Sequence, residues 1–254
     1  MPSDKKPILK QVLRDEYLPT LGRQSNYFSI AAVKTCLERR KLTCPPATLT
    51  RYLHEFTRGG LIFAAGRGWY STLATPFTLN RAPVSGLAEQ LQKPFPLLDF
   101  SAWSTEQIAG YGHHLLAKFV TFVHTERDSM PSVFEFLRDQ GFDAHLNPRG
   151  STAGQFAIRD RTVVVRPRVT TQPVEEHLVT IEGLLVDLLV ESRALGLMDS
   201  AEYFQIFGNA TSQGRISMAS LVDYARQRQP AANELLQSIK AGFHKNPALI
   251  VSES

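Results

Sequence analysis

The chain has 254 residues, of which 43% are hydrophobic and 20% are charged, so it is long enough for one large or two modest folded domains. Two cysteines, Cys36 and Cys44, are too few for a disulfide framework or a zinc site. The longest apolar stretch falls far short of the ~20 residues that span a bilayer, and no apolar run follows the charged N-terminus. We therefore expect a cytoplasmic protein.

Positive charge is concentrated at one end of the chain. Residues 1–75 contain 12 Lys and Arg against 5 Asp and Glu, whereas the remainder contains 16 against 19, although the chain as a whole is only +4. This segregation favours a polyanionic partner for the N-terminal part. A solvated basic surface would give the same counts.

The first 75 residues show three helical patterns followed by two short strands. Apolar spacing predicts a helix over residues 4–18 that ends at Pro19 and Gly22, and Ser29 is a good N-cap for a second helix. Pro46 suits the first turn of a third helix, which Gly59 and Gly60 end. An Ala-Gly-Arg-Gly turn within residues 61–71 indicates a hairpin. This order predicts a winged helix-turn-helix domain over residues 1–75.

In such a domain the third helix lies in the major groove of duplex DNA. An arginine there binds guanine O6 and N7 as a pair, and hydroxyl groups near helix starts contact phosphates. Arginine at the hairpin tip reaches the minor groove or the backbone. The predicted DNA-binding residues are Ser29, Arg40, Lys41, Thr43, Thr48, Thr50, Arg51, His54, Arg58 and Arg67. Pairing of Arg51 with Glu55, or a protein-binding role for the domain, stays open.

A linker and a second domain are predicted to follow. Residues 76–96 are rich in Pro, Gly and Leu, which indicates a linker or irregular connection. Residues 97–254 predict an α+β domain with a helical C-terminal end. Its predicted elements are a helix capped by Ser104, a strand over 118–125, a helix over 132–141, a strand pair or one bent strand over 155–167, and helices over 175–195, 200–207, 217–227 and 231–241.

Three patterns in this domain are candidates for catalytic or metal sites. His113 and His114 diverge on a helix because they are adjacent, and His124 with Glu126 matches no ligand pattern, so we expect no metal and no cofactor. Gly150-Ser151 followed by Asp160 resembles part of a nucleotidyltransferase site. Thr162 stands where the second Mg²⁺-binding carboxylate belongs, so we expect no enzyme activity.

The same domain has a local excess of arginine, which we interpret as a second basic patch. It would contact phosphates, an acidic partner, or nothing. Its members are Arg149, Arg159, Arg161, Arg166 and Arg168. Glu182 and Asp187 are expected to cap or pair locally, and Tyr224 to pack at the end of a helix whose Arg226 is solvated.

Three segments carry a family resemblance. The first is a helix ending in GGLI and followed by RGWYS, within residues 59–71. The others are TIEGLLVDLLVES, residues 180–192, and ISMASLVDYARQRQ, residues 216–229. Together they resemble the AbiEi-type antitoxins of type IV toxin-antitoxin systems. The resemblance covers most of the chain.

The resemblance implies a transcriptional repressor that binds inverted repeats upstream of its own operon. It also implies that the protein counteracts a nucleotidyltransferase-type toxin and carries a degenerate nucleotidyltransferase-like second domain. We expect two copies on the DNA and a monomer or weak dimer in solution, because no heptad zipper is visible. A standalone regulator of a defence locus, a ligand-sensing regulator, an adaptor and a nucleotidyltransferase or nuclease enzyme are the alternatives.

Overall fold

The computed structural model describes residues 9–112 and 118–241, which divide into two compact units. Unit 1 contains the described residues of Met1–Phe77, Thr211–Ala219 and Gln237–Ser254, and unit 2 contains those of Thr78–Ala210 and Ser220–Leu236. Within the described ranges, no helix combines the length and hydropathy needed to cross a bilayer.

Unit 1 begins with a continuous helical run. It consists of α1 (Leu9–Val12), a π-helical turn (Leu13–Tyr17) and α2 (Leu18–Gln24). The prediction that Pro19 ends this helix is wrong. Pro19 lies in the first turn of α2, directly after the π-helical turn, where the missing N–H of proline costs least.

The rest of unit 1 is a small antiparallel sheet with two further helices. Its elements are β1 (Tyr27–Ser29), α3 (Ile30–Arg39), α4 (Pro46–Arg58), β2 (Phe63–Ala64) and β3 (Trp69–Ser71). The strand order is β1-β3-β2, with β3 antiparallel to both neighbours. Ser29 caps α3 as predicted, because its Oγ accepts the Ala32 N–H at 3.1 Å. The sequence did not predict β1.

A segment distant in sequence completes the core of unit 1. The Tyr27 hydroxyl donates to the Gly214 carbonyl at 2.8 Å and accepts the Ile216 N–H at 3.0 Å. The Arg215 guanidinium donates to the Leu73 carbonyl at 2.9 Å. These bonds satisfy polar groups that burial would otherwise leave unpaired.

Unit 2 is built on a six-stranded mixed sheet of order β6-β7-β5-β4-β9-β8. Strands β5, β7 and β6 are parallel, and β4 is antiparallel to β5. Strand β7 is almost entirely buried, which fits its continuous apolar run. The strands are β4 (Phe100–Ser104), β5 (Val120–Thr125), β6 (Asp143–Leu146), β7 (Thr162–Pro167), β8 (Val174–Glu175) and β9 (Leu178–Val179).

Some helices pack against this sheet, and others form the C-terminal part of the described chain. They are α5 (Ala82–Gln92), α6 (Met130–Asp139), α7 (Ser151–Gly154), α8 (Ile181–Leu195), α9 (Ser200–Gln213), α10 (Met218–Gln227) and α11 (Asn233–Ala241), with 3₁₀ turns at Thr105–Tyr111 and Arg127–Ser129. Helix α8 is buried along most of its length. The prediction of an α+β domain is therefore confirmed at the level of class.

Three local predictions for unit 2 need correction. The segment 76–96, expected as an irregular connection, contains α5, whose Val84 and Leu91 are buried against the sheet core. The strand expected over 155–167 is only β7, and its outer neighbour is β6, which was not predicted. The helix expected from residue 175 begins at Ile181, because the hairpin β8–β9 precedes it.

Other local predictions are confirmed. Ser104 caps the 3₁₀ turn that follows it and shares a reciprocal capping box with Gln107. Strand β5 lies within the predicted strand over 118–125. Helix α6 starts two residues earlier than predicted and is followed by Gly141 in the left-handed conformation, φ +76°.

Candidate functional site

Helix α4 has one apolar face and one exposed polar face. Leu49, Leu53 and Phe56 are buried in the core of unit 1. The helical spacing of the polar positions places them on the opposite side, where they are exposed to solvent. These exposed residues are Thr50, Arg51, His54 and Arg58. The structure therefore brings most of the predicted α4 residues onto one surface, and the remaining one, Thr48, is half-buried.

Glu55 is the only acidic residue on α4, and it is held mainly by a residue outside that helix. Its Oε2 lies 2.5 Å from Lys10 Nζ, whereas its Oε1 lies 3.9 Å from Arg51 Nε. The Lys10 ammonium lowers the pKa of Glu55 below its usual range. The Arg51 side chain stays 66% exposed, so its guanidinium is accessible to a ligand.

The other predicted DNA-binding residues of unit 1 lie on three further parts of it. Ser29 is half-buried at the N-cap of α3. Arg40, Lys41 and Thr43 are exposed in the turn between α3 and α4. Arg67 is exposed in the turn between β2 and β3, where Gly66 and Gly68 both have positive φ.

The five arginines predicted as a second basic patch do not form one surface. Arg159 and Arg161 precede β7, whereas Arg166 and Arg168 lie at its other end, and a strand of this length spans roughly 17–20 Å. Arg161 lies over the Phe142 ring at 4.0 Å, and Arg168 pairs with Asp99. The predicted patch is thus divided between the two ends of β7, with Arg149 and Arg166 together at one of them.

The nucleotidyltransferase pattern is also not assembled. Asp160 is 92% exposed, lies 3.7 Å from Lys118, and precedes β7. Gly150 lies with Arg166 at the opposite end of that strand. No group of three His, Cys, Asp or Glu side chains among the described residues is arranged as a metal site, and His113 and His114 lie outside those residues.

Unit 2 instead contains a buried ionic network at the carboxyl ends of its parallel strands. Arg166 on β7 and Glu191 on α8 are almost fully buried, and Arg166 Nη2 lies 2.5 Å from Glu191 Oε2. Arg166 Nη1 also donates to the Pro148 carbonyl at 2.8 Å. The guanidinium is thus bound on several sides, as a buried charge requires.

A second ion pair extends this network. Arg228 Nη2 lies 3.2 Å from the fully buried Asp187, whose carboxylate also accepts Tyr224 Oη–H at 2.7 Å and Gln172 Nε2–H at 2.6 Å. Burial raises the pKa of Asp187, and Arg228 opposes that shift. The expectation that Asp187 pairs locally is wrong, because its partners lie 15 to 41 residues away in sequence. Glu182 does accept a local bond, from Thr180 at 2.6 Å.

The network borders a cleft of about 480 Å³. The cleft lies where the chain leaves β5, β6 and β7, which is where open sheets with parallel strands bind ligands. His124 on β5 is fully buried and lines it, and burial lowers the pKa of this imidazole to about 3. Sequence spacing gave no signal for this site, because its residues come from five separate segments.

The described chain is therefore a mixed α+β protein with an exposed basic helix in unit 1 and a polar cleft in unit 2. Its sequence matches a family described as a family of unknown function (DUF6577) over residues 48–245. Since the match covers most of the chain, the protein belongs to this family. No curated protein matches the sequence.

Proposed function

We propose that unit 1 is a winged helix-turn-helix domain and that the protein is a sequence-specific DNA-binding transcriptional repressor. The observation that carries this proposal is the solvent face of α4, where Thr50, Arg51, His54 and Arg58 are exposed while the opposite face is buried. A helix held in this way can enter the major groove without losing its packing.

The arrangement of the other elements supports the same reading. Helices α3 and α4 are joined by a short turn, as in a helix-turn-helix, and β2 and β3 form a hairpin directly after α4. Strand β1 adds a third strand beside β3. In this layout α4 is the recognition helix, and Arg67 lies at the tip of the wing.

Each exposed group on α4 has a defined task in the proposed complex. Arg51 and Arg58 donate to guanine O6 and N7 or to phosphate, and His54 contacts a base edge or a phosphate. Thr50 Oγ1 donates to the Pro46 carbonyl at 3.0 Å, so towards DNA it offers its methyl group and its remaining acceptor capacity. One recognition helix per chain requires two copies on an inverted repeat.

The biological setting rests on the resemblance described above. We propose autoregulation of a toxin-antitoxin-like or phage-defence operon, with a nucleotidyltransferase-type toxin counteracted by this protein. A standalone regulator of a defence locus would use the same α4 face. Co-expression with the product of the neighbouring gene separates the two, since only an antitoxin rescues growth from that product.

Selection of duplexes from a randomised DNA pool tests the proposed recognition. We expect the wild-type protein to enrich an inverted repeat, and the Arg51→Ala variant to lose a guanine preference at one position of each half-site. Arg226→Ala removes an equally exposed arginine from unit 2 and should enrich the same motif as the wild type. Failure of the wild type to enrich any motif would refute the proposal.

A further inference from the structure

We propose that the cleft of unit 2 binds a small phosphate-bearing molecule, with the phosphate held among Arg149, Arg228 and His124. All three line the cleft. Three arginines and one carboxylate, Glu191, line it, and the buried carboxylate of Asp187 pairs with Arg228, so one positive charge remains in excess. The proposal concerns a site that is separate from the DNA-binding face of α4 and does not depend on it.

The two outer arginines have donors that the protein itself does not use. Arg149 is exposed, and its guanidinium makes one bond, from Nε to Asn147 Oδ1 at 3.2 Å, with no ion pair among the described residues. Arg228 is 14% exposed and uses only Nη2 in its ion pairs with described residues. Arg166 is different, since Glu191, Asn147 and Pro148 occupy its donors. Arg166 therefore positions the site. The guanidinium of Arg149 and the donors of Arg228 other than Nη2 are available to a ligand.

His124, which is buried and belongs to the lining of the cleft, provides a neutral donor. Gln172 Oε1 accepts Ser101 Oγ–H at 2.5 Å, which orients the amide so that Nε2 donates to Asp187 at 2.6 Å and faces His124 Nδ1 at 3.4 Å. Nδ1 is then the acceptor of the ring, and the proton lies on Nε2. That Nε2 is buried and has no hydrogen-bond partner among the described residues. A buried N–H without a partner indicates a missing acceptor.

The acceptor that fits these donors is a phosphate group. A phosphate presents three terminal oxygens with about −1.5 to −2 charge, which can accept from two guanidinium groups and one N–H that line the same cleft. The walls between them include Pro167, Val169 and Val190, and the cleft volume is in the range of small-ligand sites. The apolar walls favour an organic phosphate over the inorganic ion.

A nucleic acid strand is a poorer match for the same donors. Backbone binding by a strand needs an extended row of cations, whereas residues 76–254 contain more acidic than basic residues.

Calorimetric titration at constant ionic strength tests the proposal with inorganic phosphate, ribose 5-phosphate, adenosine monophosphate and adenosine. We expect saturable binding of the phosphates, tighter for the organic ones, and none of adenosine. Arg149→Gln is exposed and should fold normally, and it should weaken phosphate binding by about tenfold. His124→Phe, which keeps a ring without the donor, should weaken it similarly. Arg138→Gln removes an exposed arginine from α6, outside the cleft, and should bind like the wild type.

Three results would overturn the proposal. The wild type could bind none of the phosphates, or Arg149→Gln could bind them as tightly as Arg138→Gln does. A short single-stranded oligonucleotide that displaces adenosine monophosphate and binds more tightly would assign the cleft to nucleic acid. Arg149→Gln keeps the test decisive even if the buried His124→Phe variant fails to fold.

Discussion

At the scale of single residues, Glu55 controls how much positive charge α4 presents. Its carboxylate offsets the positive charge of Lys10 and lies near Arg51 on the helix proposed to face DNA. We predict that Glu55→Gln tightens DNA binding a few-fold, because one negative charge is removed from a surface that meets phosphates. Fluorescence anisotropy on a labelled duplex measures this, and the gain should shrink as salt is raised. Unchanged or weaker binding would place Glu55 outside the interface.

Two features require glycine at position 66 in the hairpin turn: its backbone conformation and the close approach of a neighbouring residue. Its φ is +91°, and a Cβ there would lie 2.5 Å from the Ala219 Cβ. Gly68 also has positive φ, +75°, but a Cβ there would meet nothing within 4 Å. We predict that Gly66→Ala lowers the free energy of unfolding by about 2–4 kcal/mol and Gly68→Ala by about 1 kcal/mol. Urea denaturation measures both, and equal losses would contradict the close approach of Ala219.

His124 gives the stability of unit 2 a pH dependence of known sign. Its folded pKa of about 3 lies below the ordinary value of 6.5, so between these values the unfolded chain binds the extra proton. Stability should therefore fall as pH drops from 6.5 towards 3, by up to about 1.4 kcal/mol per pH unit. Asp187, whose pKa is raised by burial, acts in the opposite sense in the acid range.

The contribution of His124 is isolated by comparing variants across pH. His124→Gln cannot titrate, so its unfolding free energy should fall less steeply with acid than that of the wild type. Leu97→Gln, which introduces the same side chain at an exposed position of unit 2 that cannot titrate, should keep the wild-type slope. Identical slopes for His124→Gln and the wild type would show that His124 is not buried in its neutral form.

At the scale of secondary-structure elements, the Arg166–Glu191 pair joins β7 to α8. Both side chains are almost fully buried, so either single truncation removes the main partner of a buried charge. It leaves Glu191 only the longer contact with Arg228, or Arg166 no carboxylate among the described residues. We predict that Glu191→Leu and Arg166→Met each cost about 3–5 kcal/mol, and that the double variant costs less than their sum. A double-mutant cycle by chemical denaturation measures this coupling. Additive losses would mean that the two charges do not depend on each other.

Elements with strong local signals were predictable from sequence. Ser29 and Ser104 cap the turns that follow them, and Pro46 starts α4, because side chains and backbone within one turn decide these starts. Strand β1 is only three residues long and depends on pairing with β3, about 40 residues later. Pro19 was expected to end the first helix. Instead, a π-helical turn lies directly before it and the helical run continues through Pro19.

The cleft could not be predicted from the sequence, because the residues that form it are far apart along the chain. Arg166 is 25 residues from Glu191 and 19 from Asn147, and no spacing rule links such positions. The excess of arginine around β7 can be recognised in the sequence, but these arginines lie at opposite ends of the strand. The α4 residues, in contrast, share a face through helical periodicity alone, so their exposure on one surface could be foreseen.

At the scale of the whole molecule, the sequence-level charge segregation agrees with the division into two units. All of the net positive charge comes from residues 1–75, whose described part belongs to unit 1, and the cleft lies in unit 2. Unit 1 also includes Thr211–Ala219, which supplies partners for Tyr27. That return of the chain could not be predicted, because only long-range contacts reveal it.

The central claim, that unit 1 reads DNA through α4 and the hairpin, is tested most directly by a mobility-shift titration. The wild type and an Arg51→Ala, Arg67→Ala double variant are compared on the DNA upstream of the gene, at two salt concentrations and with unrelated competitor DNA. The account predicts competitor-resistant binding by the wild type, weakened by salt and lost in the double variant. Binding that is equal for both DNAs, or unaffected by the two substitutions, would contradict it.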